Sequence, residues 1–170
     1  CDALSKVQAP PGRMQRVVTE GPAVYVDYAH TPKAAEVVLR ALRPHCRGKL
    51  WCVFGCGGER DTGKRPLMAR IAEQLADHIV ITSDNPRNED PWQIIDDIVA
   101  GLARAEAATI IEDRAAAIAW AIDHAHETDI VLIAGKGHED RQQIGTESRP
   151  FSDYGVAQAA LAAVTNRGAQ

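Results

Sequence analysis

The segment IVLIA, residues 130–134, decides the fold class of this chain. All its residues are apolar, so the strand that it predicts must be buried on both faces, as in a parallel sheet covered by helices. Four similar runs precede it, AVYVDYA (23–29), LWCVFG (50–55), IVIT (79–82) and TIIE (109–112). Helical patterns separate the runs. The sequence therefore predicts an α/β, Rossmann-like domain with a mostly parallel sheet and helices on both faces.

The chain before residue 23 predicts a different connection. Only three residues, 20–22, join a short run at 16–19 to the strand that follows, too few for a crossover helix. We therefore expect an antiparallel edge strand at the N-terminal end. Residues 1–15 predict a linker from an upstream domain, and residues 16–170 the domain itself. Because the sequence opens at Cys1 without a methionine, we expect it to be part of a longer protein.

Proline and capping residues predict where the helices begin. First helical positions are expected at Pro32, Pro66 and Pro91, and N-caps at Asp113 and Ser152. Apolar spacing predicts two buried helix faces, Leu67/Ile71/Leu75 and Ile94/Ile98/Leu102. A second hairpin is expected at 142–151, around Gly145-Thr146.

Composition excludes several classes of protein. With 170 residues and 45% hydrophobic content, the chain suits one globular domain. Its net charge of -4 provides no basic surface for nucleic acid. No apolar stretch approaches the roughly 20 residues that cross a bilayer, so we expect a cytoplasmic protein. Separately, we expect a monomer. The four cysteines do not form a disulfide framework, and we expect reduced thiols.

Polar clusters follow four of the predicted strands: DYAH (27–30), GGERD (57–61), DNPR (84–87) and GKGHE (135–139). Because the carboxyl ends of parallel strands share one edge of the sheet, these clusters should meet in a ligand crevice. Residues 58–64, GERDTGK, imitate a phosphate-binding loop. However, Arg65 follows where Ser or Thr is needed, and Glu59 and Asp61 would repel phosphate. The clusters therefore do not predict a phosphate loop, and no GxGxxG motif is present.

The mixed charges of the crevice favour a zwitterionic ligand. Arg60 and Arg87 can each bind a carboxylate through two N–H groups, while Asp84 and Glu139 can accept from an ammonium group. Pro86 restricts the turn that carries three of these groups. Internal Asp84–Arg87 and Arg60–Glu139 ion pairs with only a structural role are the alternative interpretation.

These motifs, in this order along the chain and with GKRP at 63–66, resemble the C-terminal domain of MurE ligases in the Mur ligase family. The resemblance implies an ATP-dependent ligase that adds meso-diaminopimelate to UDP-N-acetylmuramoyl-L-alanyl-D-glutamate in peptidoglycan biosynthesis. In this family DNPR marks members that add diaminopimelate rather than lysine. The resemblance assigns diaminopimelate binding to Arg60, Asp84, Asn85, Arg87, Gly135 and Glu139. It assigns nucleotide contacts to Asp27, His30 and Arg13.

The resemblance also implies what this chain lacks. ATP and Mg²⁺ would be the cofactors, but the phosphate loop, the metal ligands and the site for the UDP-linked substrate belong to the family's upstream domains. We therefore expect no catalytic residue and no metal ligand in this fragment, and no activity from it alone. Two alternatives stay open: a stand-alone amino-acid-binding module, and the C-terminal domain of another Mur or folylpolyglutamate-type ligase. The latter should lack DNPR.

Overall fold

The structure, a computed structural model, describes residues 10–17 and 21–168. Helices and strands alternate after an initial strand pair. The elements in chain order are β1 (Gln15–Val17), β2 (Ala23–Asp27), α1 (Pro32–Leu42), β3 (Leu50–Phe54), α2 (Lys64–Leu75), β4 (His78–Ile81), α3 (Pro91–Val99), β5 (Ala108–Ile110), α4 (Arg114–His124), β6 (Ile130–Ala134), β7 (Arg141–Ile144), β8 (Glu147–Pro150) and α5 (Asp153–Gly168).

The main sheet has six strands in the order β1-β2-β6-β3-β4-β5. Strand β1 pairs antiparallel with β2, and the other pairings are parallel. This arrangement confirms the predicted Rossmann-like fold with an antiparallel edge strand. Strands β7 and β8 form a separate antiparallel hairpin, as predicted. Strand β1 begins at Gln15, and residues 18 and 19 of the predicted edge strand lie outside the described residues.

The apolar strands bury both faces of the sheet against helices. Helices α1, α2 and α3 pack on one face, where Phe54 and Leu132 lie in the core. Helices α4 and α5 pack on the other face against Val53 and Ile133. Because neighbouring residues of a strand point to opposite faces, a run such as IVLIA must be apolar throughout. Strand β6 lies between β2 and β3, so the sheet centre is its most buried part.

Two of the three helix starts predicted at prolines match the structure, and so do those predicted after Asp113 and Ser152, where α4 and α5 begin. Pro32 and Pro91 are the first residues of α1 and α3, capped by Thr31 and Asp90. The prediction for Pro66 was wrong, because α2 begins two residues earlier, at Lys64. The predicted inner face of α2 was wrong at Leu67, which is 46% exposed, whereas Ile71 and Leu75 do pack against the core. Arg65 takes the inner position because it forms ion pairs with Glu89 and Asp97. Met68, Ala69 and Ala72 complete the buried face.

The described cysteines are free thiols, as predicted. Cys52 and Cys56 are buried, Cys46 is partly exposed, and Cys1 lies outside the described residues. Burial raises the pKa of Cys52 and of Cys56 to about 12, so both thiols remain protonated at neutral pH. A search of the described helices for a long apolar segment found none able to cross a membrane.

Candidate functional site

The four polar clusters meet at the carboxyl ends of β2, β6, β3 and β4, which are neighbours in the sheet. They enclose a cavity of about 360 Å³. The cavity is lined by Tyr28, His30, Thr31, Gly57, Arg60, Asp61, Lys64, Asp84, Asn85, Arg87, Gly135 and Glu139. All six residues predicted to bind diaminopimelate are in this lining, and so is His30. Arg13 and Asp27 are not.

Glu139 and Asn85 are linked by hydrogen bonds to each other and to Lys136. Asn85 Nδ2 donates to Glu139 Oε2 at 2.8 Å, and Lys136 Nζ donates to the same oxygen at 3.0 Å. Burial alone would raise the pKa of Glu139. The bond and charge of Lys136, with the bond from Asn85, outweigh it and hold that pKa below the ordinary value. Glu139 is therefore an ionised acceptor at neutral pH.

Arg87 has a left-handed backbone, with a φ of 54°. A non-glycine residue pays a conformational cost there, so its surroundings must hold it. Its N–H donates to Gln143 O at 3.1 Å, and its carbonyl accepts from Gly145 N. Arg87 Nη1 donates to Gly58 O at 2.8 Å, which orients the guanidinium group along the cavity wall.

The hairpin of β7 and β8 supports the DNPR turn through side chains as well as backbone. Gln142 Nε2 donates to Asp84 O at 2.8 Å, and Gln143 N donates to Asn85 Oδ1 at 3.0 Å. Arg149 in turn donates to Gln142 Oε1 at 2.8 Å. The hairpin therefore fixes the position of the turn.

The glycine loop after β3 packs tightly against the same turn. A Cβ atom on Gly58 would lie 1.9 Å from Pro86 O, so no larger residue fits without moving one of the loops. Beneath them, buried Arg65 donates to Glu89 at 2.7 Å, and Glu89 accepts from Glu59 N. Lys64 does not lie in a phosphate-binding geometry but donates to His30 O at 2.8 Å. This network holds Arg60 and Arg87 on opposite loops of one cavity.

Asp84 lies above a buried ion pair. Arg114 binds Asp153 through two bonds of 2.7 and 2.8 Å, and both side chains are fully buried. Arg114 also donates to the carbonyls of Ser83 and Ala134, at the ends of β4 and β6.

The ion pairs considered from the sequence were wrong. Among the described residues neither Asp84–Arg87 nor Arg60–Glu139 forms, because Glu139 pairs with Lys136 instead.

The three residues predicted for the nucleotide surround Tyr28. The Arg13 guanidinium lies 5.0 Å from the Tyr28 ring centre, and the His30 ring lies 4.5 Å from it. Asp27 is buried, and its Oδ2 accepts from Met14 N at 2.7 Å. Within the part of the chain that the structure describes, no cluster of three or more His, Cys, Asp or Glu side chains is arranged to hold a metal ion.

Sequence reasoning missed the residues that hold the site together: Lys136, Arg114, Asp153, Gln142 and Gln143. The lysine stands inside the GKGHE motif, so its neighbours in sequence could have drawn attention to it. The two glutamines carry no such signal, because their partners lie 58 residues away along the chain.

Asp84 is expected to destabilise the fold at neutral pH. Burial raises the pKa of Asp84 above its ordinary value, so the folded chain binds this proton more readily than the unfolded chain. Its contribution to stability therefore falls as pH rises from the unfolded pKa through the folded one. Asp84→Asn should raise the Tm more at pH 7 than at pH 4. Thermal unfolding at both values, with exposed Asp96→Asn as control, measures this; an equal change at both would contradict it.

Comparisons of the sequence and of the fold with known proteins match this chain to the same family. The family model "Mur ligase, glutamate ligase domain" matches residues 12–137. The UDP-N-acetylmuramoyl-L-alanyl-D-glutamate--2,6-diaminopimelate ligase of Pseudomonas putida is 55% identical over 159 residues, covering 93% of this chain and 32% of that protein. The Haemophilus influenzae protein of the same name is 57% identical over 147 residues, covering 86% of this chain and 30% of its own length. The chain thus spans about a third of these relatives.

Solved structures extend the likeness. A UDP-N-acetylmuramoyl-L-alanyl-D-glutamate--2,6-diaminopimelate ligase superposes with a TM-score of 0.87 at 44% identity, covering 95% of this chain and 34% of that one. A bifunctional folylpolyglutamate synthase/dihydrofolate synthase from Yersinia pestis, complexed with AMPPNP and a Mn ion, has a TM-score of 0.60 at 23% identity. It covers 91% of this chain and 32% of its own, and shows a shared fold only.

Proposed function

Since the chain belongs to the Mur ligase family, whose glutamate ligase domain it contains, we propose that it is the amino-acid-binding part of a diaminopimelate-adding ligase. The complete enzyme would join meso-diaminopimelate to UDP-N-acetylmuramoyl-L-alanyl-D-glutamate with ATP, in peptidoglycan biosynthesis. Residues 16–170 would be the amino-acid-binding domain and residues 1–15 its linker. The cavity described above, which gathers two guanidinium groups, an amide and an ionised glutamate, carries this proposal.

The chemistry of the cavity suits the distal end of diaminopimelate, which carries a carboxylate and an ammonium group on one carbon. Arg87 and Asn85 would donate to the carboxylate, and Glu139 would accept from the ammonium. Arg60 lines the same cavity on the loop that faces Arg87, and from there it would bind a carboxylate of the ligand. Gly135 would leave room for the ligand, because its position allows close approach of the backbone. Asp84 would support the turn.

The charged groups give a reason to prefer diaminopimelate over lysine. Lysine lacks the distal carboxylate, so on binding it would leave the Arg87 guanidinium without its partner in a partly buried site. A lost charge-assisted partner costs on the order of 2–5 kcal/mol, or roughly 30- to several-thousand-fold in selectivity. The domain would thus choose the amino acid that the ligase adds.

ATP would bind next to this cavity. The nucleotide would contact Arg13, His30 and Asp27, near Tyr28. Tyr28 and His30 also line the amino-acid cavity, so the two sites would adjoin there. ATP, with Mg²⁺, would phosphorylate the D-glutamate side-chain carboxylate of the UDP-linked substrate, and the amine of diaminopimelate would displace the phosphate to form the amide. The metal ligands, the groups that perform this step and the site for the UDP-linked substrate would lie in other domains. This chain would bind the amine and orient it.

An assay of the complete ligase containing this chain tests the proposal. It is expected to consume ATP and form the amide product with meso-diaminopimelate, and to use L-lysine poorly. The 170-residue chain alone is expected to form no product. Efficient use of L-lysine by the complete enzyme would contradict the assignment and favour another branch of the family.

A further inference from the structure

The amide of Asn85 has its oxygen and nitrogen positions fixed by its partners. Asn85 Oδ1 lies 3.0 Å from Lys136 Nζ and 3.0 Å from Gln143 N. Both partners are donors without an acceptor function, so the oxygen must face them. The nitrogen then faces Glu139 Oε2, which it contacts at 2.8 Å. With this orientation, the second hydrogen on Nδ2 is the group that Asn85 can offer to a ligand.

Lys136 carries the buried charge in this arrangement. Its side chain is 0% exposed, and its ammonium group contacts the Asn85 oxygen and the Glu139 carboxylate together. An ammonium group out of water is stable only with such partners, so the contacts constrain all three side chains. Asp84 and Arg114 also face this cluster from the ends of β4 and α4, and Arg87 from the DNPR turn.

We propose that Lys136 is a positioning residue that sets the hydrogen-bonding polarity of the site. By holding the Asn85 oxygen, it makes Asn85 a donor toward a ligand carboxylate. By occupying Glu139 Oε2, it leaves Oε1 to accept from a ligand ammonium. The inference rests on the proposed function, because the ligand it concerns is the zwitterionic end of diaminopimelate. It adds that selectivity for meso-diaminopimelate over L-lysine depends on Lys136, which contacts the ligand-binding residues Asn85 and Glu139.

Lys136→Met tests this, because methionine has nearly the same length and no donor. Without Lys136 the Asn85 amide loses one of the two donors that hold its oxygen, and it can rotate to present that oxygen to the ligand. The Kd for meso-diaminopimelate, measured by NMR titration of this chain, should rise about 10- to 100-fold. The Kd for L-lysine should change much less, because lysine has no distal carboxylate and its distal ammonium group can still bind Glu139, which loses only a competing donor. Lys33→Met, at an exposed lysine on α1, is the matched control and should match the unmodified chain.

The outcomes separate the two proposals. An unchanged Kd for meso-diaminopimelate in Lys136→Met, or equal losses for both amino acids, would overturn the role of Lys136 while the proposed function stands. If the unmodified chain itself shows no preference for meso-diaminopimelate, the proposed function fails and this inference with it.

A second measurement needs no substitution and covers the case in which Lys136→Met does not fold. In chain labelled with ¹⁵N-lysine, the buried and hydrogen-bonded Lys136 ammonium should give a resolved signal. This signal should shift when meso-diaminopimelate is added, and much less with L-lysine. Binding of meso-diaminopimelate without a shift of the Lys136 signal would overturn the inference.

Discussion

Arg87→Ala is expected to weaken the use of meso-diaminopimelate by roughly 30- to several-thousand-fold in the complete ligase, with little change in the KM for ATP. The Arg87 guanidinium is held along the cavity wall by its 2.8 Å bond to Gly58 O. Removing it would take away the charged donor for the distal carboxylate. Arg13 and His30, two of the residues proposed to contact the nucleotide, lie beside Tyr28, and their contacts there do not involve the Arg87 side chain.

Two further variants make the Arg87 experiment specific. Arg87→Lys keeps the charge but loses the two-pronged donor geometry, so its kcat/KM for diaminopimelate should lie between those of Arg87→Ala and the unmodified enzyme. Arg70→Ala removes an exposed arginine on α2 and should leave both substrates unaffected. Equal losses for diaminopimelate and ATP in Arg87→Ala would contradict the role assigned to Arg87.

Arg114→Met is expected to cost about 3–5 kcal/mol of the free energy of unfolding. Arg114 and Asp153 are fully buried and pair with each other, so the substitution leaves a carboxylate in the core without its partner. It also removes the donors to Ser83 O and Ala134 O, which tie together the ends of β4 and β6 on either side of β3. Urea unfolding followed by circular dichroism measures the loss.

The double variant Arg114→Met/Asp153→Leu separates the cost of an unpaired charge from that of altered packing. It removes both charges, so it should recover a large part of the stability that the single variant loses. A single-variant loss below about 1 kcal/mol would contradict the view that this pair stabilises the sheet beneath the site.

The fold class could be predicted because its cause is local. Five continuous apolar runs separated by helical patterns leave few arrangements other than a covered parallel sheet. The three-residue link at 20–22 indicated the antiparallel edge for a similar reason, since it is too short for a crossover. The inner face of α2 could be predicted only in part from apolar spacing, which gave Ile71 and Leu75 correctly. Arg65 is buried there by carboxylates 24 and 32 residues away, while Leu67 is exposed.

The residues that line the site could be predicted from the sequence, but their pairing could not. Polar clusters at strand ends gave the cavity-lining residues Arg60, Asp84, Asn85, Arg87 and Glu139, because the sheet brings those ends together. Charge pattern alone could not tell which groups pair with each other. Glu139 could have faced Arg60, but it pairs instead with Lys136, a fully buried lysine three residues earlier.

The most direct test of the account is an NMR titration of this 170-residue chain with meso-diaminopimelate and, separately, with L-lysine. The backbone amides to follow are those of residues 58–61, 84–88 and 135–140, in three of the four loops that line the cavity. The account predicts shifts in all three loops with meso-diaminopimelate and much smaller ones with L-lysine. An equal response to both amino acids, or no response to either, would contradict it.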